Sequence, residues 1–122
     1  MTKKIKILVV DDDSMIGEML KAVLEFKGYE VLVSGKPNET EENIIENNID
    51  LVILDKLISG VDGTDVCSKV KGNDKTSYVK ILIMTALHNA GPECLEAGAD
   101  GFMTKPFDMK ILYKNVETLL NQ

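Results

Sequence analysis

Five short apolar runs are spaced along the chain, and each is followed by a polar turn. They occupy residues 5–10, 29–33, 51–54, 79–84 and 101–104. The run at 51–54 contains no polar residue, which is typical of a strand buried on both faces of a parallel sheet. We therefore predict five β-strands.

The interval after the first strand predicts an amphipathic helix. Asp13 or Ser14 is a suitable N-cap, and Gly28 is placed to end the helix. Apolar residues fill the i, i+3, i+4, i+7, i+8 positions, and we expect them to face the core. They are Ile16, Met19, Leu20, Val23 and Leu24.

Four further helices are predicted between and after the remaining strands. The second begins at Pro37, a residue suited to a first helical turn, and the third begins near Thr64. The fourth, between Pro92 and Gly98, has hardly more than one turn. The fifth follows an N-cap at Asp108. Its expected inward residues are Met109, Leu112, Val116, Leu119 and Leu120.

The regular alternation of strand and helix indicates an α/β fold. Such alternation implies right-handed crossovers and a parallel sheet covered on both sides. The 122 residues suit a single domain, expected to span 1–122. The net charge of -6 argues against direct binding of nucleic acid or an anionic membrane by this domain, since both demand a positive surface.

The two cysteines, Cys67 and Cys94, have neither the spacing of a metal site nor that of a redox motif. We expect them to be free thiols in a reducing compartment. No signal-peptide pattern and no apolar run of membrane length is visible. The expected location is therefore the cytoplasm.

Polar side chains follow four of the five predicted strands. Asp11 and Asp12 follow the first, Asp55 the third, Thr85 the fourth and Lys105 the fifth. In open α/β sheets the ligand crevice lies outside the carboxyl ends of the strands. Two carboxylates ~4 Å apart repel by roughly 4 kcal/mol at an effective dielectric of about 20. Lys105 and a hard divalent cation, for which Mg²⁺ is the physical choice, would offset that repulsion.

These residues, in this order, resemble the receiver domain of two-component response regulators, including the chemotaxis regulators. The resemblance runs from about residue 4 to residue 120 and includes the Gly-x-Asp-Gly turn at 60–63 and the approach to the fifth strand at 98–101. It implies a flavodoxin-like, doubly wound five-stranded parallel sheet with strand order 2-1-3-4-5. It also implies a role in phosphorelay signal transduction.

The resemblance implies a role for each pocket residue. Asp55 is the expected phosphoacceptor, which receives a phosphoryl group from a phosphohistidine. Asp12 is the expected direct Mg²⁺ ligand, and Asp11 acts mainly through water. Asp55 and the backbone carbonyl of Leu57 would complete the protein's ligands. Lys105 pairs with the carboxylates at rest and with the phosphoryl group afterwards.

The resemblance also implies a switch and a set of partners. The Thr85 hydroxyl would bind the phosphoryl group, and Phe102 would be the aromatic residue that turns inward in response. The expected output face comprises the fourth helix, fifth strand and fifth helix, and it is a possible homodimer surface. The donor would be a sensor histidine kinase or a phosphotransfer protein, and the downstream target or fused output domain is unspecified. Such a domain is not an enzyme in its own right, although it assists its own phosphorylation and dephosphorylation.

Three departures from the family pattern carry expectations. Ser59 stands where the family usually has proline, so the loop after Asp55 is expected to be more mobile. Leu57 and Leu87 cannot orient water by hydrogen bonds, which predicts slow self-dephosphorylation. The interval from Thr85 to Lys105 is about two residues shorter than is usual in the family, which we expect to affect the fourth helix.

Two alternatives stay open at the level of sequence. Asp11-x-Asp13 after a strand resembles the acid pair of haloacid-dehalogenase-like phosphatases, although Met15 stands where those enzymes need Thr or Val. A pseudo-receiver that interacts without phosphorylation is the other alternative, although neither the acids nor the lysine are missing here.

Overall fold

Five parallel strands form one sheet in a computed structural model that describes residues 3–122. The strands are β1 (Lys6–Val10), β2 (Glu30–Ser34), β3 (Leu51–Asp55), β6 (Lys80–Thr85) and β7 (Gly101–Thr104), and the short β4 (Leu57–Ile58) and β5 (Val61–Asp62) form a separate antiparallel hairpin. The sheet order is β2-β1-β3-β6-β7. This confirms the expected order 2-1-3-4-5, in which β6 and β7 are the fourth and fifth strands of the sheet.

The helices are α1 (Ser14–Phe26), α2 (Thr40–Asn47), α3 (Gly63–Gly72), α4 (Gly91–Glu96) and α5 (Met109–Leu120). Asp13 is the N-cap of α1, because its side chain accepts hydrogen bonds from the N–H groups of Met15 and Ile16. Asp108 caps α5 in the same way. Pro37 lies in a first helical turn as expected, but this turn is a 3₁₀ helix at Pro37–Glu39, which continues directly into α2 at Thr40.

The core lies in two layers, one on each face of the sheet. Successive side chains of a strand point to opposite faces, so Ile7 and Val9 pack on one side and Leu8 and Val10 on the other. Residues of α1 and α5 cover the first face, and residues of α2, α3 and α4 cover the second. Because both faces are covered, the central strands need continuous apolar runs.

Two residues predicted to face inward are half exposed. Met19 of α1 is 50% exposed and Met109 of α5 is 52% exposed, whereas Leu20 and Leu112 are buried. Met19 and Met109 instead line a groove between the two helices, together with Phe107. The apolar stripe of each helix is therefore wider than the arc that touches the sheet.

Across residues 3–122, no helix combines the length and the apolar character that crossing a membrane requires. The fourth helix is as short as expected, with six residues.

Candidate functional site

Three carboxylates meet at the carboxyl edge of the sheet. One oxygen from each of Asp11, Asp12 and Asp55 lies within 4.8 Å of the others. They meet because β1 and β3 are hydrogen-bonded neighbours in register, with Val10 opposite Leu54, so the residues that follow are brought side by side. The pocket is therefore built from positions more than forty residues apart in the chain.

Asp11 is the most buried of the three acids, with 2% of its surface exposed. Its Oδ1 accepts a hydrogen bond of 2.9 Å from the Asp13 N–H, while Oδ2 has no partner among the described residues. Burial raises the pKa of Asp11, and the neighbouring charges of Asp55 and Asp12 add to that effect against the Asp13 hydrogen bond and Lys105. This oxygen of Asp11 can therefore act as a ligand for a cation or accept a hydrogen bond from water.

Lys105 supplies a positive charge to the pocket. Its Nζ donates a hydrogen bond of 3.0 Å to Asp55 Oδ2, and both side chains are largely buried. The backbone N–H of Lys105 also donates to the Thr85 carbonyl, which ties the ends of β6 and β7 together. The lysine therefore reaches the acid from the far edge strand of the sheet.

The loop after Asp55 forms the β4–β5 hairpin. Its turn residues, Ser59 and Gly60, have positive φ angles of 49° and 80°. Ser59 donates two hydrogen bonds to Asp12 Oδ2, from its N–H at 2.8 Å and from its Oγ at 3.1 Å. Sequence reasoning treated Ser59 only as a missing proline. The Ser-Gly pair signals a turn, but no sequence signal identifies its partner.

Thr85 and Phe102 lie in different surroundings. Thr85 is buried, its Oγ1 accepts a hydrogen bond from the Leu87 N–H at 3.0 Å, and it lines a pocket of about 370 Å³ together with Asp55 and Lys105. Phe102 is 36% exposed and does not line that pocket. A Cβ added to Gly91 would overlap the Phe102 ring, so the ring rests on the first residue of α4.

Lys56 is a site residue that sequence reasoning did not identify. Its Nζ lies 3.2 Å from both Asp62 and Glu93, so it joins the hairpin to α4. Burial opposes its charge, but hydrogen bonds to Asp62 and Glu93 outweigh that effect and raise the pKa of Lys56. The residue next to Asp55 is therefore coupled directly to the fourth helix.

Two exposed leucines line the same pocket. Leu57 is 65% exposed and Leu87 is 56% exposed. Neither can donate or accept a side-chain hydrogen bond, so they give the rim of an otherwise charged site an apolar character.

The response regulator receiver domain family matches residues 7–117, and the chain belongs to this family. The family is one of phosphorelay signalling domains and not of classical enzymes, and this defines the class of the chain. An uncharacterized transcriptional regulatory protein from Bacillus subtilis, YrkP, is 39% identical over 113 residues, which cover 91% of this chain and 47% of that protein. The chain spans about half the length of the curated relatives it matches.

Solved structures agree with this assignment. A putative response regulator from Chloroflexus aurantiacus superimposes with a TM-score of 0.92 at 34% identity, covering 98% of this chain and all of that one. The BeF3-activated receiver domain of Klebsiella pneumoniae RstA gives a TM-score of 0.87 at 28% identity, covering 96% of this chain and 99% of that one. The flavodoxin-like fold expected from the sequence is therefore confirmed.

Proposed function

We propose that the domain, spanning residues 1–122, accepts a phosphoryl group on Asp55 from a sensor histidine kinase or a phosphotransfer protein. The observation that carries the proposal is the convergence of Asp11, Asp12 and Asp55 on one pocket with Lys105 hydrogen-bonded to Asp55. A pocket with this excess of negative charge suits a reaction that brings in a cation and a phosphoryl group together.

In the proposed reaction a carboxylate oxygen of Asp55 attacks the phosphorus of a phosphohistidine. The new O–P bond forms an acyl phosphate, while the P–N bond breaks and its electron pair returns to the imidazole nitrogen. Lys105, which neutralises Asp55 at rest, is close enough to exchange the carboxylate for a phosphoryl oxygen. The side chain therefore keeps an anionic partner before and after transfer.

The oxygen-rich donor set fits Mg²⁺. Asp11 Oδ2 is buried and has no hydrogen-bond partner in the part of the chain that the structure describes, and hard divalent cations take carboxylate and carbonyl oxygens as ligands. Asp11, Asp12, Asp55 and the Leu57 backbone carbonyl would hold the ion. When bound, Mg²⁺ would draw negative charge away from the transferring phosphoryl oxygens.

An exposed apolar surface beside Lys105 supports docking of a helical donor protein. Met19 of α1 is 50% exposed and lines a groove together with Lys105 and Phe107, and Met15 on the same helix is 82% exposed. An apolar surface of this kind suits an amphipathic helix, which would bring its phosphohistidine to the mouth of the pocket.

The output is proposed to pass through Thr85 and Phe102. Binding of the Thr85 hydroxyl to the phosphoryl group would draw the loop after β6 inward and let the Phe102 ring follow. The face formed by α4, β7 and α5 exposes Leu95, Phe102 and Ile111, which supports its use for a target or for a homodimer.

The charge and the cysteines of the chain support the proposed surroundings of the domain. The net charge of -6 supports the view that the domain itself binds neither nucleic acid nor a membrane. The cysteines Cys67 and Cys94 are free and buried, and burial raises the pKa of Cys67 to about 11. Unreactive free thiols are compatible with a cytoplasmic location.

Incubation with Mg²⁺ and acetyl phosphate tests the proposal. We expect a hydroxylamine-labile adduct that is lost in Asp55→Asn and retained in Asp74→Asn, a matched change of an exposed aspartate. The same assay would detect assisted dephosphorylation as loss of the adduct over time. Phosphate turnover that depends on Asp11 and Asp13 would instead indicate a phosphatase, and the absence of any adduct would indicate a pseudo-receiver.

A further inference from the structure

The tip of the β4–β5 hairpin is bonded to one of the pocket acids. Ser59 directs both of its donors at a single oxygen, Asp12 Oδ2, at 2.8 Å from the N–H and 3.1 Å from Oγ. The two residues are 47 positions apart in the chain. The contact therefore depends on the fold and is not a local turn interaction.

The backbone conformation of the turn aims the Ser59 N–H. Positive φ at both Ser59 and Gly60 is the requirement of a two-residue type I′ turn, which matches the twist of a hairpin. The flanking pairs, Leu57 with Asp62 and Ile58 with Val61, set the register. A proline at position 59 could neither adopt this φ nor donate an N–H.

The base of the hairpin is held on three sides. Ile58 is fully buried, the Asp62 side chain accepts a hydrogen bond from the Thr64 N–H at 2.9 Å, and Asp62 is ion-paired to Lys56. The N–H and hydroxyl groups of Ser59 therefore lie at the tip of a hairpin whose strands are fixed by packing and by hydrogen bonds. Their position does not depend on ordering a free loop.

We propose that Ser59 is a positioning residue for the cation-binding acid Asp12. A carboxylate has two oxygens with about four acceptor sites, so holding Oδ2 leaves Oδ1 available for the ion. Hydrogen bonds to ligand side chains fix their orientation, and losing such a partner typically costs 10–100-fold in metal affinity. The two donors also offset part of the repulsion between Asp12 and the neighbouring acids. This inference rests on the proposed Mg²⁺-dependent function.

The first test measures Mg²⁺ affinity by titration of the metal alone, followed by amide NMR shifts. Ser59→Gly removes the hydroxyl and suits the positive φ, and Ser59→Ala removes the hydroxyl with the backbone otherwise unchanged. Because the N–H remains in both variants, we expect about tenfold weaker binding, the low end of the usual range. Ser77→Ala, a change of an exposed serine, should bind as the wild type does.

The second test follows hydrogen exchange of the Ser59 amide without metal. An exposed turn amide exchanges fast unless it is bonded, so we expect protection in the wild type and its loss in Asp12→Ala. If the amide exchanges at the same rate in the wild type and in Asp12→Ala, it is not bonded to Asp12 in solution and the positioning role of Ser59 is refuted.

The outcomes separate this inference from the proposed function. Absence of Mg²⁺ binding by the wild type would overturn the proposed function. If the wild type binds Mg²⁺ and both Ser59 variants bind within twofold of it, the role of Ser59 is refuted and the proposed function stands. An equal loss of affinity in Ser77→Ala would also refute that role.

Discussion

At the scale of single residues, Asp11 has a buried carboxylate oxygen that finds no hydrogen-bond partner within residues 3–122. Its pKa is raised in the folded protein, so the folded state binds this proton more readily than the unfolded chain does. The contribution of Asp11 to stability is therefore fully present at acidic pH and is lost as the pH rises through the folded pKa. Ionised Asp11 is a cost at neutral pH.

Replacing Asp11 by Asn should stabilise the protein without metal. We expect the free energy of unfolding at pH 7 to rise by about 1–3 kcal/mol, the usual penalty of a buried unsatisfied group. Urea unfolding at several pH values measures it, and the difference from the wild type should shrink as the pH falls toward 4. A gain that grows at acidic pH would contradict the assignment.

Gly91 allows the Phe102 ring to rest on α4. We expect Gly91→Ala to displace the ring and to lower the free energy of unfolding by about 1–3 kcal/mol, as overpacking does. Because Gly91 also precedes Pro92, part of the loss reflects the backbone. The part of the stability loss that comes from displacing the ring should disappear when Gly91→Ala is made in a Phe102→Ala background.

Denaturant unfolding of the two single variants and the double variant isolates this coupling. Gly72→Ala is the matched control, because a Cβ there meets open space. A coupling energy of zero between positions 91 and 102 would show that the ring does not depend on Gly91.

Leu57 and Leu87 bear on the lifetime of the proposed acyl phosphate. Neither side chain can orient an attacking water, so the purified phosphoprotein should lose its label slowly. We expect Leu57→Asn to speed the loss by about tenfold, below the hundredfold or more of a positioned general base. Decay of radiolabel measures it, with Leu95→Asn as a control on the exposed face of α4. Rapid decay of the wild type without a phosphatase would refute the expectation.

At the scale of elements, α4 depends on contacts outside itself. It has only six residues, and an isolated helix of that length is not stable in water. Lys56 anchors it through Glu93 at 3.2 Å, while the buried Cys94 packs into the core. This short α-helix is thus tied to the residue beside Asp55, which gives the proposed site a direct connection to the proposed output face.

Breaking this link should loosen α4 selectively. We expect Lys56→Met to speed amide exchange at Cys94 and Ala97 and to leave α5 unchanged. We expect a coupling energy of about 0.5–1 kcal/mol between Lys56 and Glu93, because Glu93 is half exposed and solvent screens the pair. Lys21→Met, which breaks the exposed Lys21–Glu25 pair, is the control. An equal increase in amide exchange rate throughout the protein would argue against a local link between Lys56 and α4.

At the scale of the whole molecule, the pocket couples cation binding to stability. A ligand that binds only the folded state stabilises it by about 2.7 kcal/mol at 100 times its Kd. We expect Mg²⁺ to raise the free energy of unfolding in this way and to lose the effect in Asp12→Asn. NaCl at matched ionic strength is the control, since the net charge of -6 makes simple screening stabilising as well. Equal stabilisation by both salts would count against a bound ion.

The pattern of the amino acids was enough to predict the five strands of the sheet, the five helices and the two-sided burial of the sheet, but not the β4–β5 hairpin. The apolar composition of a run such as Leu51–Asp55 is enough to predict that it is buried. Asp13 and Asp108 cap helices through contacts with residues two or three positions away, which are visible in the sequence. A parallel sheet brings the residues that follow its strands to one edge, so Asp11, Asp12, Asp55 and Lys105 were expected there, and the family resemblance added the strand order. These features depend on local propensity and on topology.

Only the tertiary structure decided which side chains touch. Three contacts join residues from separate parts of the fold. They are the hydrogen bonds from Ser59 to Asp12, the ion pair between Lys56 and Glu93, and the packing of the Phe102 ring against Gly91. The exposure of Met19 and Met109 likewise depends on where α1 and α5 are placed on the sheet and how each is rotated about its axis. Such contacts depend on hairpin register and helix placement to within an ångström or two, which hydrophobic periodicity does not specify.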